Sequence, residues 1–266
     1  MNKVISKDGT TIAFDRSGEG PAVILVVGAF NDRATGVPLA RFLEQHFTVF
    51  NYDRRGRGES GDTAPYAIER EIEDLDALIA ESCITQQRDA ISAGGSACVF
   101  GYSSGATLAL RAAAHGLAIS QLALYDPPPT GAKAGQLAPQ LTELIAAGRR
   151  GDAVELFQTE AVGIPAAVVA QMRNAPFRPA LEKMAHTLVY ESIILGSLPT
   201  GLVASVRVPT LVIDGEGSPE VMRHAAQSLA DALPDGRYRT LKGQGHDIDP
   251  AVVGPVLEEF FLAQRK

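Results

Sequence analysis

A serine flanked by glycines is the residue of this sequence best suited to covalent chemistry. Residues 101–105 read GYSSG and match the pattern G-x-S-x-G. The apolar run 97–100 before the motif predicts a buried strand, and the Ala- and Leu-rich run 106–114 after it predicts a helix. Strand, tight turn and helix in this order are the context of a nucleophile elbow, in which the helix N-terminus faces the serine. The sequence therefore predicts that Ser103 is a nucleophile, and a strand-to-helix turn with a capping serine is the alternative.

The elements that must position this serine alternate along the chain. Apolar or alternating runs predict strands at 4–6, 11–15, 22–27, 48–52, 97–100, 122–125, 210–214 and 237–241. Helical spacing of apolar residues predicts helices at 37–45, 68–80, 106–114, 220–233 and 250–265. The polar stretch 83–95 ends in glycines and is predicted to be a connection. The first two strands are predicted to form an antiparallel hairpin at the edge of a sheet, so the pattern is that of an α/β protein.

This alternation stops at Asp126. Three prolines follow at 127–129, and proline cannot continue a sheet. Helices broken by further prolines are then predicted at 136–147, 152–160, 166–174 and 180–195. The predicted organisation is a core in two parts, 1–126 and 206–266, with a helical segment, 127–205, between them.

Composition and charge argue against several classes of protein. The chain has 266 residues, of which 45% are hydrophobic, and this is enough for one α/β domain with an insertion. A net charge of −7 with one short basic run, 54–57, argues against a nucleic acid partner. No signal-like or membrane-spanning apolar run is apparent, Cys98 lies in a predicted core strand, and the five histidines lack the spacing of metal ligands. We therefore expect a cytoplasmic protein without metal or membrane partner, and the sequence leaves its oligomeric state open.

Five stretches together make the chain resemble the α/β-hydrolase family over essentially its whole length. They are Gly28 after the third predicted strand, YDRRGRGES after the fourth, GYSSG, VPTLVIDGEGSP and, near the C-terminus, GQGHDI. The resemblance implies a mostly parallel eight-stranded sheet flanked by helices, with a helical cap inserted after the sixth strand. It also implies the serine-nucleophile, esterase- and haloperoxidase-like branch, whereas similar haloalkane dehalogenases and epoxide hydrolases attack with aspartate. A small-molecule substrate and no cofactor are further implications of the resemblance.

The resemblance further implies a base and a carboxylate that assist the nucleophile. His246 follows the last predicted strand, where the family keeps its base. The family often has its acid three residues after the glycine that corresponds to Gly215, but that residue is Ser218 here, and a hydroxyl cannot hold an imidazolium as a carboxylate does. In some members the acid follows the sixth strand instead. Asp126 stands there and is the predicted acid, and Asp214 is the alternative.

An oxyanion hole built from two backbone N–H groups is also implied by the resemblance. One group belongs to Ser104, directly after the nucleophile, and the other to Ala29 in the loop after the third strand. The family often has His-Gly where this chain has Val27 and Gly28. The histidine that often braces this loop is therefore missing.

Aromatic residues near the predicted site are candidates for an apolar substrate pocket. Open α/β sheets bind ligands at the carboxyl edge of the strands, where a cap would close over them. The predicted pocket residues are Phe30, Tyr102, Phe177 and Tyr190, with core packing as the alternative for each. The charged turn 53–57 is expected to hold neighbouring loops together.

We therefore expect a serine hydrolase that cleaves small, mainly apolar esters, thioesters or lactones through an acyl-enzyme on Ser103. Perhydrolase and C–C hydrolase activities remain open on the same fold. A non-catalytic binding protein or pseudo-enzyme is the alternative of a different class, because Ser218 and Val27 stand where the family often has a carboxylate and a histidine. The position of Asp126 relative to Nδ1 of His246 distinguishes the two hypotheses.

Overall fold

The structure is a computed structural model that describes residues 1–88, 95–131 and 133–263. Within these ranges eight strands form one sheet: β1 (Asn2–Ile5), β2 (Thr11–Ser17), β3 (Ala22–Val26), β4 (Thr48–Tyr52), β5 (Ala97–Tyr102), β6 (Ile119–Tyr125), β7 (Thr210–Gly215) and β8 (Gly236–Leu241). Their order across the sheet is β1-β2-β4-β3-β5-β6-β7-β8. Strand β2 runs antiparallel to β1 and β4, and the other neighbouring pairs are parallel. The predicted edge hairpin and the mostly parallel sheet are thus confirmed.

Helices cover the sheet or lie between β6 and β7. Those outside the β6–β7 connection are α1 (Arg33–Leu43), α2 (Ile68–Arg88), α3 (Ser104–Ala114), α10 (Glu220–Ala232) and α11 (Pro250–Leu262). Those within it are α4 (Ala138–Ala146), α5 (Arg150–Glu160), α6 (Ala166–Gln171), α7 (Arg178–Lys183), α8 (Thr187–Ile194) and α9 (Leu202–Ser205), with 3-10 turns at Lys133–Gln136 and Met172–Asn174. Among the described helices, none combines the length and the apolar character that crossing a membrane requires.

Two apolar cores hold the helices against the sheet. Strands β3, β4 and β5 are buried along their whole length because helices cover both of their faces. Residues of α2, α3 and α10 pack on one face, and residues of α1 and α11 pack on the other. A third cluster joins the helices of the β6–β7 connection and includes Leu141, Phe157 and Leu188, against which Ala29 and Phe30 pack. The loop after β3 therefore contacts both the sheet and these helices.

Two predicted elements differ from the structure. Helix α2 continues to Arg88, so 83–88 is helical rather than part of a connection, and the rest of that predicted connection lies partly outside the described residues. The glutamines and arginine of 83–88 are good helix formers, and no glycine or proline interrupts this stretch. The predicted helix 180–195 is two helices, α7 and α8, separated at 184–186. Met, Ala and His in that turn are all compatible with a helix, so residue spacing could not reveal the break.

Candidate active site

Ser103 occupies a strained turn between β5 and α3. Its φ is 55° and its ψ is −127°, a conformation that residues with a side chain rarely adopt. Its backbone N–H donates to the carbonyl oxygen of Tyr125 at 2.9 Å, which ties the turn to the end of the neighbouring strand β6. Helix α3 begins at Ser104, so the N–H of Ser104 lacks a helical acceptor beside the nucleophile. The strand, turn and helix predicted from GYSSG are thus confirmed.

Asp126 directly follows β6, the strand next to the one that carries Ser103. Its side chain is fully buried, and its φ of 46° is again positive. Oδ2 of Asp126 lies 2.9 Å from Nδ1 of His246, a distance that fits a charge-assisted hydrogen bond. The imidazole itself is about one-third exposed, at 35%. A buried carboxylate thus orients a ring that remains accessible from outside.

The alternative acid, Asp214, has a different partner. Its Oδ2 accepts a hydrogen bond of 2.5 Å from the hydroxyl of Tyr238 on β8. Ser218, at the position where the family often has its acid, donates at 2.6 Å to Oδ2 of Asp126 and accepts from the N–H of Gly215 at 3.2 Å. This contact was not predicted from the sequence, although Asp126 and Ser218 both follow predicted strands and their proximity could have been expected.

Two tyrosines hold the segment that carries His246. The hydroxyl of Tyr125, at the end of β6, donates to the carbonyl oxygen of Gly245 at 2.6 Å. The ring of Tyr102 lies 5.1 Å from the imidazole, centroid to centroid. Burial raises the pKa of the Tyr102 hydroxyl, and the nearby carboxylates add to this effect, so the phenol stays neutral. Tyr125 was missed from the sequence, although a buried tyrosine at a strand end normally finds a polar partner.

The loop after β3 runs directly against the nucleophile. A Cβ atom on Gly28 would lie 2.9 Å from Cβ of Ser103 and 3.0 Å from the carbonyl oxygen of Tyr102, so a side chain would displace this loop. The N–H of Ala29, the predicted second oxyanion donor, donates to Oγ of Ser104 at 2.9 Å. The structure therefore brings the predicted oxyanion residues together at the side chain of Ser104.

Two buried arginines bind the backbone carbonyl groups of this loop. Nη1 of Arg54 donates to the carbonyl oxygen of Val27 at 3.2 Å. Nη1 of Arg57 donates to the carbonyl oxygens of Gly28 at 2.6 Å and Asn31 at 3.0 Å. The expectation that the charged turn 53–57 holds neighbouring loops is thereby confirmed. Guanidinium groups bind the backbone of a loop in which the family's bracing histidine is absent.

Both arginines share one carboxylate from α8. Oε1 of Glu191 contacts Nη1 of Arg54 at 2.8 Å and also contacts Nη2 of Arg57. Arg54 makes a second, bidentate pair with Glu71 at 2.7 and 2.8 Å. All four side chains are at most 2% exposed. Burial lowers the pKa of Arg57 and the charge of Arg54 adds to this, while the carboxylates oppose it. The cluster ties α8 to the loop beside the nucleophile.

Two predicted pocket residues lie beside these groups. The ring of Phe30 meets that of Phe157 edge to face, with centroids 5.6 Å apart. Tyr102 forms part of the wall of a cavity of about 190 Å³, together with Val27 and Asp247. Phe30 therefore joins the third apolar cluster, and Tyr102 lies both at that cavity and next to the imidazole.

The other two predicted pocket residues have different surroundings. Phe177 is 46% exposed at the start of α7. Tyr190 stacks on Tyr66 with ring centroids 3.9 Å apart and donates to Oδ2 of Asp62 at 2.7 Å. The Tyr190 hydroxyl thus bonds an exposed residue of the segment between β4 and α2, and contact of Phe177 or Tyr190 with a substrate stays a prediction.

Comparison with known proteins identifies the family. The family model described as "Alpha/beta hydrolase family" matches residues 23–254. The crystal structure of an alpha/beta hydrolase from Sphaerobacter thermophilus DSM 20745 is 52% identical, with 98% of this chain and 100% of that chain covered and a TM-score of 0.86. The enol-lactonase from Burkholderia xenovorans LB400 shares the fold at 24% identity, with 99% and 100% of the two chains covered and a TM-score of 0.67.

A curated relative is much longer than this chain. Polyketide synthase ThaQ of Burkholderia thailandensis is 28% identical over 251 residues. The match covers 88% of this chain, but it spans only 11% of the length of that synthase. The family model and the 52% identical structure together show to which family this chain belongs. The chain belongs to the α/β hydrolase family.

Proposed function

We propose that this protein is a hydrolase that cleaves small, mainly apolar carboxylic esters, thioesters or lactones through an acyl-enzyme on Ser103. In this proposal His246 is the base and Asp126 is the acid. The observation that carries it is the buried carboxylate of Asp126, 2.9 Å from Nδ1 of the imidazole, at the strand end next to that of the strained serine. This contact is the one expected of a hydrolase, and it favours catalysis over the binding-protein alternative.

The first half of the reaction forms the acyl-enzyme. Oγ of Ser103 attacks the carbonyl carbon while its proton moves to Nε2 of His246. The contact with Asp126 favours the tautomer that carries its proton on Nδ1, which leaves Nε2 free to act as a base. The carbonyl oxygen becomes negative and is stabilised by the N–H of Ser104 and by a second donor from the Gly28–Ala29 peptide. The bond to the leaving group then breaks, and that group takes the proton from the imidazolium.

The second half releases the product acid. Water loses a proton to Nε2 of His246 and attacks the acyl carbon. The tetrahedral intermediate that forms uses the same oxyanion donors. It collapses when the bond to Oγ of Ser103 breaks and the imidazolium returns the proton to that oxygen. The resulting cycle consumes one water per ester and needs no cofactor.

An apolar acyl or alkoxy group is supported by the surroundings of the loop after β3. Ala29 and Phe30 pack against the apolar cluster of the β6–β7 helices, which faces the same loop. We propose that the helical segment 127–205 is a cap that supplies this apolar wall, between core parts 1–126 and 206–266. Lactones remain within the proposed class because the ring ester presents the same carbonyl to the serine.

The test is time-resolved hydrolysis of p-nitrophenyl acetate and butyrate by wild type, Ser103→Ala and Asp126→Asn. We expect turnover by wild type, none above background with Ser103→Ala, and a large loss with Asp126→Asn. A fluorophosphonate should label the wild-type protein but not Ser103→Ala, since labelling needs an activated serine. A wild-type protein that is neither active nor labelled would contradict the proposal and favour the binding-protein alternative.

A further inference from the structure

The Gly28–Ala29 peptide connects a buried guanidinium to a serine hydroxyl beside the nucleophile. At one side of this peptide, Nη1 of Arg57 donates to the carbonyl oxygen of Gly28 at 2.6 Å. At the other side, the N–H of Ala29 donates to Oγ of Ser104 at 2.9 Å. Arg57 and Ser104 are each 2% exposed, so bulk water does not screen these bonds. A positive charge at the carbonyl end makes the N–H of the same peptide a stronger donor.

The hydrogen of the Ser104 hydroxyl has no acceptor among the described residues. A serine hydroxyl can accept hydrogen bonds and donate one. Here the oxygen accepts from Ala29, and within the described ranges the structure gives that oxygen no acceptor for its own hydrogen. The backbone N–H of Ser104 also lacks a helical acceptor, because this residue opens α3. Both free donors thus belong to the residue that follows the nucleophile.

We propose that the Ser104 hydroxyl is a catalytic group: it donates to the substrate carbonyl oxygen as attack by Ser103 makes that oxygen negative. The N–H of Ala29 then acts through this hydroxyl instead of contacting the oxyanion directly. The guanidinium of Arg57 is a positioning and polarising group at the far end of the relay. No proton is transferred between the groups of this relay. Each hydrogen bond polarises the next donor and so strengthens it. The inference rests on the proposed function and changes one part of it: the Ser104 hydroxyl takes the place of the Ala29 N–H as the second oxyanion donor.

Two substitutions at one position separate donation from packing. Ser104→Ala removes the hydroxyl and keeps the backbone N–H. Ser104→Cys keeps nearly the same volume, but its S–H is a weak donor. Ser82→Ala is the matched control, since it removes an equally buried hydroxyl that bonds the carbonyl oxygen of Ile79 at 2.7 Å, outside the site.

We expect kcat for p-nitrophenyl butyrate to fall about 100-fold in both Ser104 variants, as when another oxyanion donor is removed, while KM changes less than about twofold. The affinity for a trifluoromethyl ketone, which adds to the serine as an oxyanion, should fall by a similar factor. Ser82→Ala should match wild type in both measurements. A role in packing alone would leave Ser104→Cys near wild type.

Retained or increased kcat in Ser104→Ala overturns the proposal, as does near wild-type kcat in Ser104→Cys. Circular dichroism and the thermal midpoint verify folding, and the isosteric Ser104→Cys carries the test if the alanine variant does not fold. Ser103→Ala is measured beside them. If it is inactive while Ser104→Ala is unchanged, only this inference fails. If Ser103→Ala keeps wild-type activity, the proposed function itself fails, and this inference fails with it.

Arg57→Lys tests the far end of the relay, because lysine keeps the charge but lacks the two fixed nitrogens with which Arg57 bonds Gly28 and Glu191 together. We expect it to lower kcat about tenfold in the wild-type background and less than about twofold in Ser104→Ala, because the relay ends at the missing hydroxyl. An equal factor in both backgrounds would show that Arg57 acts on catalysis by a route other than Ser104 and would overturn the relay.

Discussion

Ser218 donates a hydrogen bond of 2.6 Å to Oδ2 of Asp126, the same carboxylate oxygen that lies 2.9 Å from Nδ1 of His246. The position where the family often has its acid and the residue proposed as the acid here are therefore in direct contact. They meet because β6 and β7 are neighbours and run parallel to each other, so their carboxyl ends lie at the same edge of the sheet. A carboxylate at the end of either strand can therefore contact the same imidazole. This is a physical reason why the acid can follow β6 in one protein and β7 in another.

The two candidate acids should differ sharply in their effect on activity. Asp126→Asn should lower kcat by about three to four powers of ten, because an amide favours the wrong tautomer of His246. Asparagine tolerates the positive φ of this position, so the backbone should be preserved. Asp214→Asn should cost far less, since that carboxylate bonds Tyr238. Steady-state ester hydrolysis measures both, and equal losses would contradict the assignment of Asp126.

Moving the carboxylate across the contact should restore activity. In the Asp126→Asn background, Ser218→Asp places an acid next to the oxygen position that contacts the imidazole. We expect the double variant to recover at least about tenfold in kcat over Asp126→Asn, because a carboxylate again supports the imidazolium. Asp126→Asn with Ser218→Ala is the matched control and should stay low. If the double variant folds but its kcat does not recover, a carboxylate at position 218 cannot replace that of Asp126.

A methyl group on Gly28 should damage catalysis. The added Cβ would lie 2.9 Å from Cβ of Ser103, so either the loop or the nucleophile must move. Gly28→Ala should lower kcat/KM about 100-fold, since small displacements of reacting groups have effects of this size. Gly61→Ala is the control, because its nearest atoms, all from Thr10 and Thr11, would be 3.5 Å away in ordinary contact. Similar kinetics for the two variants would show that Gly28 is not sterically required.

The buried charge cluster should make a large contribution to stability. Glu191→Gln removes the carboxylate that Arg54 and Arg57 share, and it leaves Arg57 without a charged partner among those described for it. We expect the free energy of unfolding to fall by about 3–5 kcal/mol, the usual cost of breaking a buried ion pair. Urea denaturation measures it.

An exposed pair provides the control for that measurement. Glu259 contacts Arg239 at 2.6 Å, with side chains 67% and 45% exposed. Glu259→Gln should change the free energy of unfolding by less than about 1 kcal/mol, because water and salt screen surface pairs. A loss as small for Glu191→Gln would mean that the cluster contributes little to stability.

Local patterns predicted the order of the elements well. All eight strands appear where apolar runs predicted them, with shifts of a few residues at their ends. The errors fall on helices: α2 extends past its predicted end, and one predicted helix is two, α7 and α8. Several strand runs begin next to proline, such as β3 after Pro21 and β7 after Pro209, whereas these helix boundaries have no glycine or proline to mark them.

The sequence by itself determined the elbow around Ser103, because a strained turn needs glycine at close approaches and such residue requirements are local. It also placed Asp126 and His246 after strands, where a resemblance could assign them roles. Only the tertiary structure decided which carboxylate meets the imidazole. It alone joined Glu191 to Arg54, 137 residues away in the chain, and Ala29 to the hydroxyl of Ser104. Hydrogen-bond partners at this edge come from distant segments, and the order of strands in the sheet, which periodicity does not encode, brings them together.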